Sequence, residues 1–213
     1  MTSTLESKSP PARRTSRHHR RRTEVIDAAA AVFAQKGYHG ATTKDISRAL
    51  GLRQGSLYYY FTSKEAALEE VCRIGIRDHL ENLIKIVSSD VGAAEKVRLA
   101  IMNHLRPIRD RGDYVRVFLF SRRHLPAPVR DTLNETIHRY EELLESIFRE
   151  GVERGDFHAD LDCRLAVLGL LGMCNDVVTW YGKEPGQDIE SIGAEYTRLM
   201  LQGITADSAV PRK

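Results

Sequence analysis

Residues 42–61, TTKDISRALGLRQGSLYYYF, decide how this chain is read. Thr42 stands three positions before Asp45, the spacing of a capping box, in which the hydroxyl accepts a backbone N–H and the carboxylate answers it. A helix therefore opens at Thr43, with Ile46, Ala49 and Leu50 on its inner face, and Gly51 ends it almost at once. A short helix follows from about Gln54 to Tyr60. Helix, tight glycine turn and short helix form the outline of a helix-turn-helix.

Each helical residue turns about 100°, so Leu57 and Phe61 lie within about 40° of one another and define an inner face. Tyr59 then points away from it, with Gly55 and Ser56 on the same outward side and Tyr58 and Tyr60 flanking. A structural alternative, in which the tyrosines cap a small core, accounts for part of Tyr58 and Tyr60 and leaves Tyr59 unexplained. Outward tyrosines suit nucleic acid: the hydroxyl donates to phosphate, the ring packs on sugar or a thymine methyl, and a Gly-Ser shelf admits a groove floor. Arg53 and Gln54 lead the helix, where side chains reach base edges in this motif.

On the N-terminal side, Val25, Ile26, Ala29, Val32 and Phe33 form the apolar stripe of a first helix, which Gly37 stops. On the C-terminal side, Ser63-Lys64-Glu65 opens a much longer helix. The remainder keeps a helical period, with breaks at 90–92, 111–112, 126–128, 155 and 182–186, so the expected fold is all-α. The expected organisation is a disordered basic arm over 1–22, a helix-turn-helix domain over 23–65, a larger helical domain over 66–204 and a flexible tail over 205–213.

The chain has 213 residues, 42% hydrophobic and 29% charged, with a net charge of +3. Up to Arg22 there are seven basic residues against Glu6 alone, a net of +6, which leaves −3 for the rest. Such an arm suits phosphate or minor-groove contact, or serves as a solubilising terminus. Arg21-Arg22 also precede the run VIDAAAAVFA, but Glu24 and Asp27 interrupt it, which argues against a twin-arginine export signal. No stretch of about 18 uninterrupted apolar residues marks a membrane span; LAVLGLLGMC, 165–174, comes nearest. Cys72, Cys163 and Cys174 show no C-x-x-C spacing and point to free thiols in a reducing, cytoplasmic compartment. The eight histidines contain no His-x-x-x-His pair, so neither a metal nor a cofactor is expected, and no phosphate-cradling loop or nucleophile elbow supports an enzyme.

The run ATTKDISRALGLRQGSLYYYFTSKEAAL, preceded by AVFAQKGY, resembles the DNA-binding domain of the TetR (tetracycline repressor) family of bacterial transcription regulators. The resemblance spans about residues 23–68 and rests on Phe before Gly-Tyr, Thr-Thr at the second helix, Gly-x-x-x-Gly-Ser-Leu-Tyr and Phe-x-x-Lys-Glu. It implies that Thr43 and Lys44 meet the DNA backbone and that Arg53, Gln54, Gly55 and Ser56 sit over bases. It further implies that Tyr58, Tyr59 and Tyr60 line phosphates and thymine methyls and that Lys64 holds a phosphate at a helix N-terminus. Arg20, Arg21 and Arg22 would lie beside the duplex.

The same resemblance implies a homodimer held by the last two long helices, reading a palindromic operator on double-stranded DNA. Leu165, Leu168, Leu171 and Val178 on one helix, and Ile189, Ile192, Tyr196, Leu199 and Met200 on the next, offer apolar surface; Gly169, Gly172 and Gly193 would allow close approach. Packing within one subunit is the alternative. The family keeps a small-molecule cavity in its middle helices, and residues 113–123 and 169–181 resemble a subgroup that answers to acyl-CoA thioesters. Arg116, Phe118, Arg122, Arg123, Phe148, Met173 and Trp180 are the candidate ligand residues, with arginines forking onto phosphates; a solvated or salt-bridged role for the arginines stands beside this. The expected function is a ligand-responsive DNA-binding repressor. The rival is a ligand-independent architectural DNA binder, which a filled interior would favour.

Overall fold

No proline or glycine interrupts residues 12–36, which are rich in arginine and alanine, both strong helix formers. The computed structural model, which describes residues 12–206 and side chains from Arg20 onward, accordingly runs α1 from Ala12 to Gly40. Gly37 breaks its regularity at φ +68°, a value only glycine adopts without strain. The disordered arm expected through Arg22 is thus different over 12–22, where the chain is helical; residues 1–11 and 207–213 lie outside the described residues.

The later elements are α2 (Thr43–Ala49), α3 (Gln54–Leu57), α4 (Lys64–Val87), α5 (Ala93–Asp110), α6 (Gly112–Ser121), a 3-10 turn at Arg122–His124, α7 (Ala127–Glu153), α8 (Cys163–Trp180) and α9 (Ile189–Ile204). Every break expected from glycine and proline falls at a junction between two of these helices. The tail is tied further than expected: His158 N–H donates to the Ile204 carbonyl at 2.9 Å and Ala206 N–H to that of Asp156 at 3.1 Å.

Two apolar cores form. One gathers Val25, Phe33, Ile46, Leu57, Phe61 and Leu68 from α1–α4, and continues through Ile76 to Tyr114 and Val117 of α6 and Leu133 of α7. The N-terminal domain is therefore fused to α6 by packing and not merely linked at residue 65. Tyr114 reinforces that seam by donating its hydroxyl to Asp27 Oδ1 at 2.6 Å. The second core fills the space between α5, α7, α8 and α9. Ala49, expected on the inner face of α2, is exposed.

Helix α9 lies along α5, where Gly193 permits close approach: a Cβ there would stand 2.2 Å from Met102 Sδ. That glycine, with Ile189 and Ile192, serves the chain's own core. Gly169 and Gly172 of α8 instead face open space. Leu165 is 64% exposed, Leu168 44% and, on α9, Leu199 48%, so one face of α8 and its edge with α9 carry uncovered apolar surface; Phe120 of α6 and Ile84 of α4 are exposed as well. Cys163–Trp180 is the described helix with the length and apolarity of a membrane span, and only 28% of it is buried.

Candidate DNA-binding surface and ligand cavity

The capping box forms as expected: Asp45 N–H donates to Thr42 Oγ1 at 3.1 Å, and Thr42 N–H donates to Asp45 Oδ2 at 3.0 Å. Gln54 Nε2 donates to Thr43 Oγ1 at 3.2 Å, which holds the first residues of α2 and α3 side by side. Below them Ile46, Leu57 and Phe61 are buried; above them Lys44, Arg53, Gln54, Gly55 and Ser56 are exposed and Thr43 is half-buried. A Cβ on Gly55 would meet nothing within 4 Å, so no neighbour inside the chain requires glycine there. The open space above it can receive another molecule.

Helix α3 is shorter than expected. Tyr60 and Phe61 N–H both donate to the Leu57 carbonyl, at 2.8 and 3.1 Å, which closes a turn and redirects the chain toward α4. Tyr58–Tyr60 therefore project from a turn. Tyr59 is 72% exposed and Tyr58 49%, while half-buried Tyr60 meets the Tyr59 ring edge-on at 5.2 Å. The acidic group at this surface is neutralised: Lys36 Nζ lies 2.7 Å from Asp45 Oδ1, and with the Thr42 bonds it holds that carboxyl at about 2. Lys44 and Arg53, with Arg48 held 3.5 Å from Asp45 Oδ1, set a positive potential suited to phosphate.

Lys64 is more committed than expected. Its ammonium donates to the Tyr38 and Ala41 carbonyls at 2.9 and 3.1 Å and lies 4.3 Å from the centre of the Tyr38 ring. It ties the start of α4 to the corner between α1 and α2, leaving one of its three N–H groups for an outside phosphate. Arg20 and Arg21 pair with Glu24 at 3.3 and 2.6 Å, and Arg22 with Glu70 at 2.8 Å. Exposed pairs of this kind are weak and exchangeable for a phosphate partner. Tyr38 also donates to Glu65 Oε1 at 2.5 Å and stacks on His124 at 5.0 Å, so the reading surface is keyed to the turn that follows α6.

That turn leads to a cavity of about 340 Å³ between α4, α5, α6, α7 and α8, open to solvent on one side. Ile76, Val115, Phe118, Leu119, Leu168 and Leu171 supply apolar walls, and Arg122 lines one side with its guanidinium 5.0 Å from the Phe118 ring. Its contacts to the Phe118 and Leu119 carbonyls are long, 3.3 and 3.4 Å, and engage only one of its nitrogens. Glu141, also in the lining, is balanced by Arg164 at 2.7 Å. His79, His104, Tyr140 and Asn175 form a polar cluster in the same lining. Among the described residues no three His, Cys, Asp or Glu side chains group into a metal set.

Residues 25–71 match the family model described as bacterial regulatory proteins, tetR family, and residues 90–204 match that of the tetracyclin repressor-like C-terminal domain. The chain belongs to the TetR family. It is similar to the HTH-type transcriptional repressor KstR2 of Rhodococcus jostii, 30% identical over 92% of this chain and 97% of that one. Among solved structures, the ketosteroid transcriptional regulator KstR2 of Mycobacterium tuberculosis aligns with a TM-score of 0.82 at 27% identity, over 88% of this chain and 96% of that chain. FadR of Bacillus subtilis in complex with stearoyl-CoA aligns with a TM-score of 0.68 at 27% identity, over 85% and 98%. This TetR-family protein is thus a transcription regulator with an N-terminal helix-turn-helix domain and a tetracyclin repressor-like helical C-terminal domain.

Of the candidate ligand residues, the TetR-family cavity brings together Phe118 and Arg122. Arg116 is half-buried and donates to the Val178 carbonyl, tying α6 to α8. Arg123 points outward, with Nε 3.4 Å from His124 Nε2. Phe148 is buried in the second core beside Phe157, ring centres 6.2 Å apart, and Trp180 packs against that core. Met173 is half-buried and outside the lining. Sequence spacing does not reveal the polar cluster, because its members come from four helices; the one visible signal is Asn175 inside the most apolar helix.

Proposed function

We propose that this protein is a homodimeric repressor that holds a palindromic operator and releases it when a small-molecule effector, an acyl-CoA thioester, occupies the cavity. The observation that carries this reading is the course of α4. The helix begins at Lys64, tied to the corner beside the reading surface, and Gly75, Ile76 and His79 further along it line the cavity. An effector that moves α4 therefore moves the reading surface, and two copies so displaced lose the spacing of one DNA turn, about 34 Å. By linkage, operator binding weakens effector binding by the same factor.

The thioester class is supported by apolar walls with an arginine at their edge, and by the stearoyl-CoA named for the FadR relative. The dimer seam is the face of α8 carrying Leu165, Leu168, Gly169 and Gly172, with Leu199 of α9 at its margin. A two-fold contact would bury this apolar face, and the two small residues let the facing helices approach. The ligand-independent architectural alternative needs a filled interior, and the cavity argues against it. The protein acts by binding and not by turnover, in the bacterial cytoplasm at the nucleoid.

Operator selection from fragmented genomic DNA, paired with sedimentation of the wild type and of Leu165→Arg, which lies on the seam and outside the cavity lining, tests this reading. A recovered palindrome, with a wild-type dimer and a monomeric variant that no longer selects it, is the expected result. An asymmetric site, or unchanged sedimentation of the variant, would overturn the two-fold arrangement.

A further inference from the structure

Apolar walls do not need a buried hydrogen-bond chain, because every polar group placed there must be satisfied. Asn103 Nδ2 donates to the His79 carbonyl at 3.0 Å. His104 Nδ1 lies 3.2 Å from the Tyr140 hydroxyl, and its Nε2 lies 3.1 Å from Asn175 Oδ1. A neutral imidazole carries one N–H. An amide oxygen only accepts, so His104 Nε2 donates to Asn175 Oδ1 and Nδ1 accepts the proton of the Tyr140 hydroxyl.

Burial lowers the pKa of both His104 and neighbouring His79, the latter to about 4, so the chain is uncharged at neutral pH. Asn175 lines the cavity, and with its Oδ1 taken by His104 its amide N–H groups are the end of the chain left to meet a ligand. Arg116 bonds the Val178 carbonyl, nearly one turn past Asn175, so that end of α6 lies beside the cluster. Arg122 is six residues further along α6 and its turn, on the order of 10 Å away at helical rise. The two polar ends of the cavity are therefore different in kind. One is cationic; the other is a neutral donor.

We infer that the cavity selects an effector whose apolar part carries an acceptor oxygen, a ketone or equivalent carbonyl, placed to meet Asn175 while Arg122 receives the anionic or thioester end. This rests on the reading of the cavity as the effector site and adds a chemical requirement to it. A saturated chain would strip water from the Asn175 N–H groups and return no partner, so it binds more weakly than its keto counterpart by about ten- to a hundredfold.

The test is calorimetric titration of the full-length protein with lauroyl-CoA and with analogues bearing one ketone moved stepwise along the chain. One ketone position should bind about ten- to a hundredfold more tightly than lauroyl-CoA. Asn175→Leu should erase that peak, and Tyr140→Phe, which keeps the ring and so guards against a folding defect in the first variant, should lower it. A flat series overturns the acceptor-oxygen requirement and leaves the thioester cavity standing. No binding by any member overturns both. A peak that survives in Asn175→Leu overturns the assignment to Asn175, and a preference for hydroxyl over ketone analogues overturns the direction of the proton chain.

Discussion

The reading surface and the cavity break the usual distribution of side chains in opposite senses. At the first, large aromatic rings face outward over a shelf of glycine and serine; at the second, hydrogen-bonding groups face inward between apolar helices. Each arrangement is costly in an isolated chain, and the proposed partners would make each favourable: a duplex for the tyrosines, a small amphipathic molecule for the asparagine and arginine. The partner's chemistry is the complement of the misplaced groups. A shared helix, α4, runs from one to the other, and on the proposed reading it couples them.

The sharpest way to break this comparison is at the tyrosines. Replacing Tyr58 and Tyr59 together by alanine should lower operator affinity by about a hundredfold, since good groove contacts contribute about 1–3 kcal/mol each. The melting temperature should stay within experimental error, because both side chains are exposed. A large drop in melting temperature with unchanged affinity would return them to a structural role.

Lys64→Met sharpens the comparison from the junction. Removing the ammonium from two carbonyls and a ring should cost about 1–3 kcal/mol of stability and weaken operator binding about tenfold. Weaker binding at unchanged stability would favour a phosphate contact instead.

Acid should separate the two regions. The pKa of His79 is lowered to about 4, and that of His104 is lowered too, in both cases chiefly by burial. A depressed histidine contributes stability that is complete above its ordinary value near 6.5 and is lost as pH falls toward the folded value, by at most about 1.4 kcal/mol per pH unit. Asp45, held at about 2, keeps its contribution until pH falls below the ordinary carboxylate range near 4. Hydrogen exchange between pH 7 and pH 5 should therefore loosen α4, α5 and α8 around the cavity before α2. Simultaneous loosening would contradict the assignment.

The smallest effect is expected from Arg20, Arg21 and Arg22 changed together to glutamine. On the proposed reading these residues exchange weak exposed ion pairs for phosphate, so affinity should fall only a few-fold. The salt slope should shrink by at most about 0.9 for each phosphate that is no longer neutralised. An unchanged salt slope would remove them from the interface.

The two regions are also unequally legible in the sequence. The reading surface is local: capping box, glycine turn and the Leu57–Phe61 face all lie within 20 consecutive residues, and the structure places Leu57 and Phe61 inside and Tyr59 outside as their spacing requires. Even there, the closing of α3 on the Leu57 carbonyl and the engagement of Lys64 depend on where α4 must start, which no local pattern encodes. The cavity is non-local. Periodicity marks Phe148, Met173 and Trp180 as apolar but is blind to whether an apolar face meets the chain's own core or an empty space. Arg122 and Arg123 are neighbours in sequence, yet the 3-10 turn sends one toward the cavity and the other to solvent. His79, His104, Tyr140 and Asn175 share no spacing, because α4, α5, α7 and α8 each contribute one.

The most direct test of the central claim is binding of the purified protein to the DNA flanking its own gene, with and without a panel of long-chain, sterol-derived and aromatic CoA thioesters. Specific binding that one thioester releases, and that free CoA and the free acid leave intact, is the predicted result. Specific binding undisturbed by every thioester would contradict the coupling of cavity to reading surface through α4.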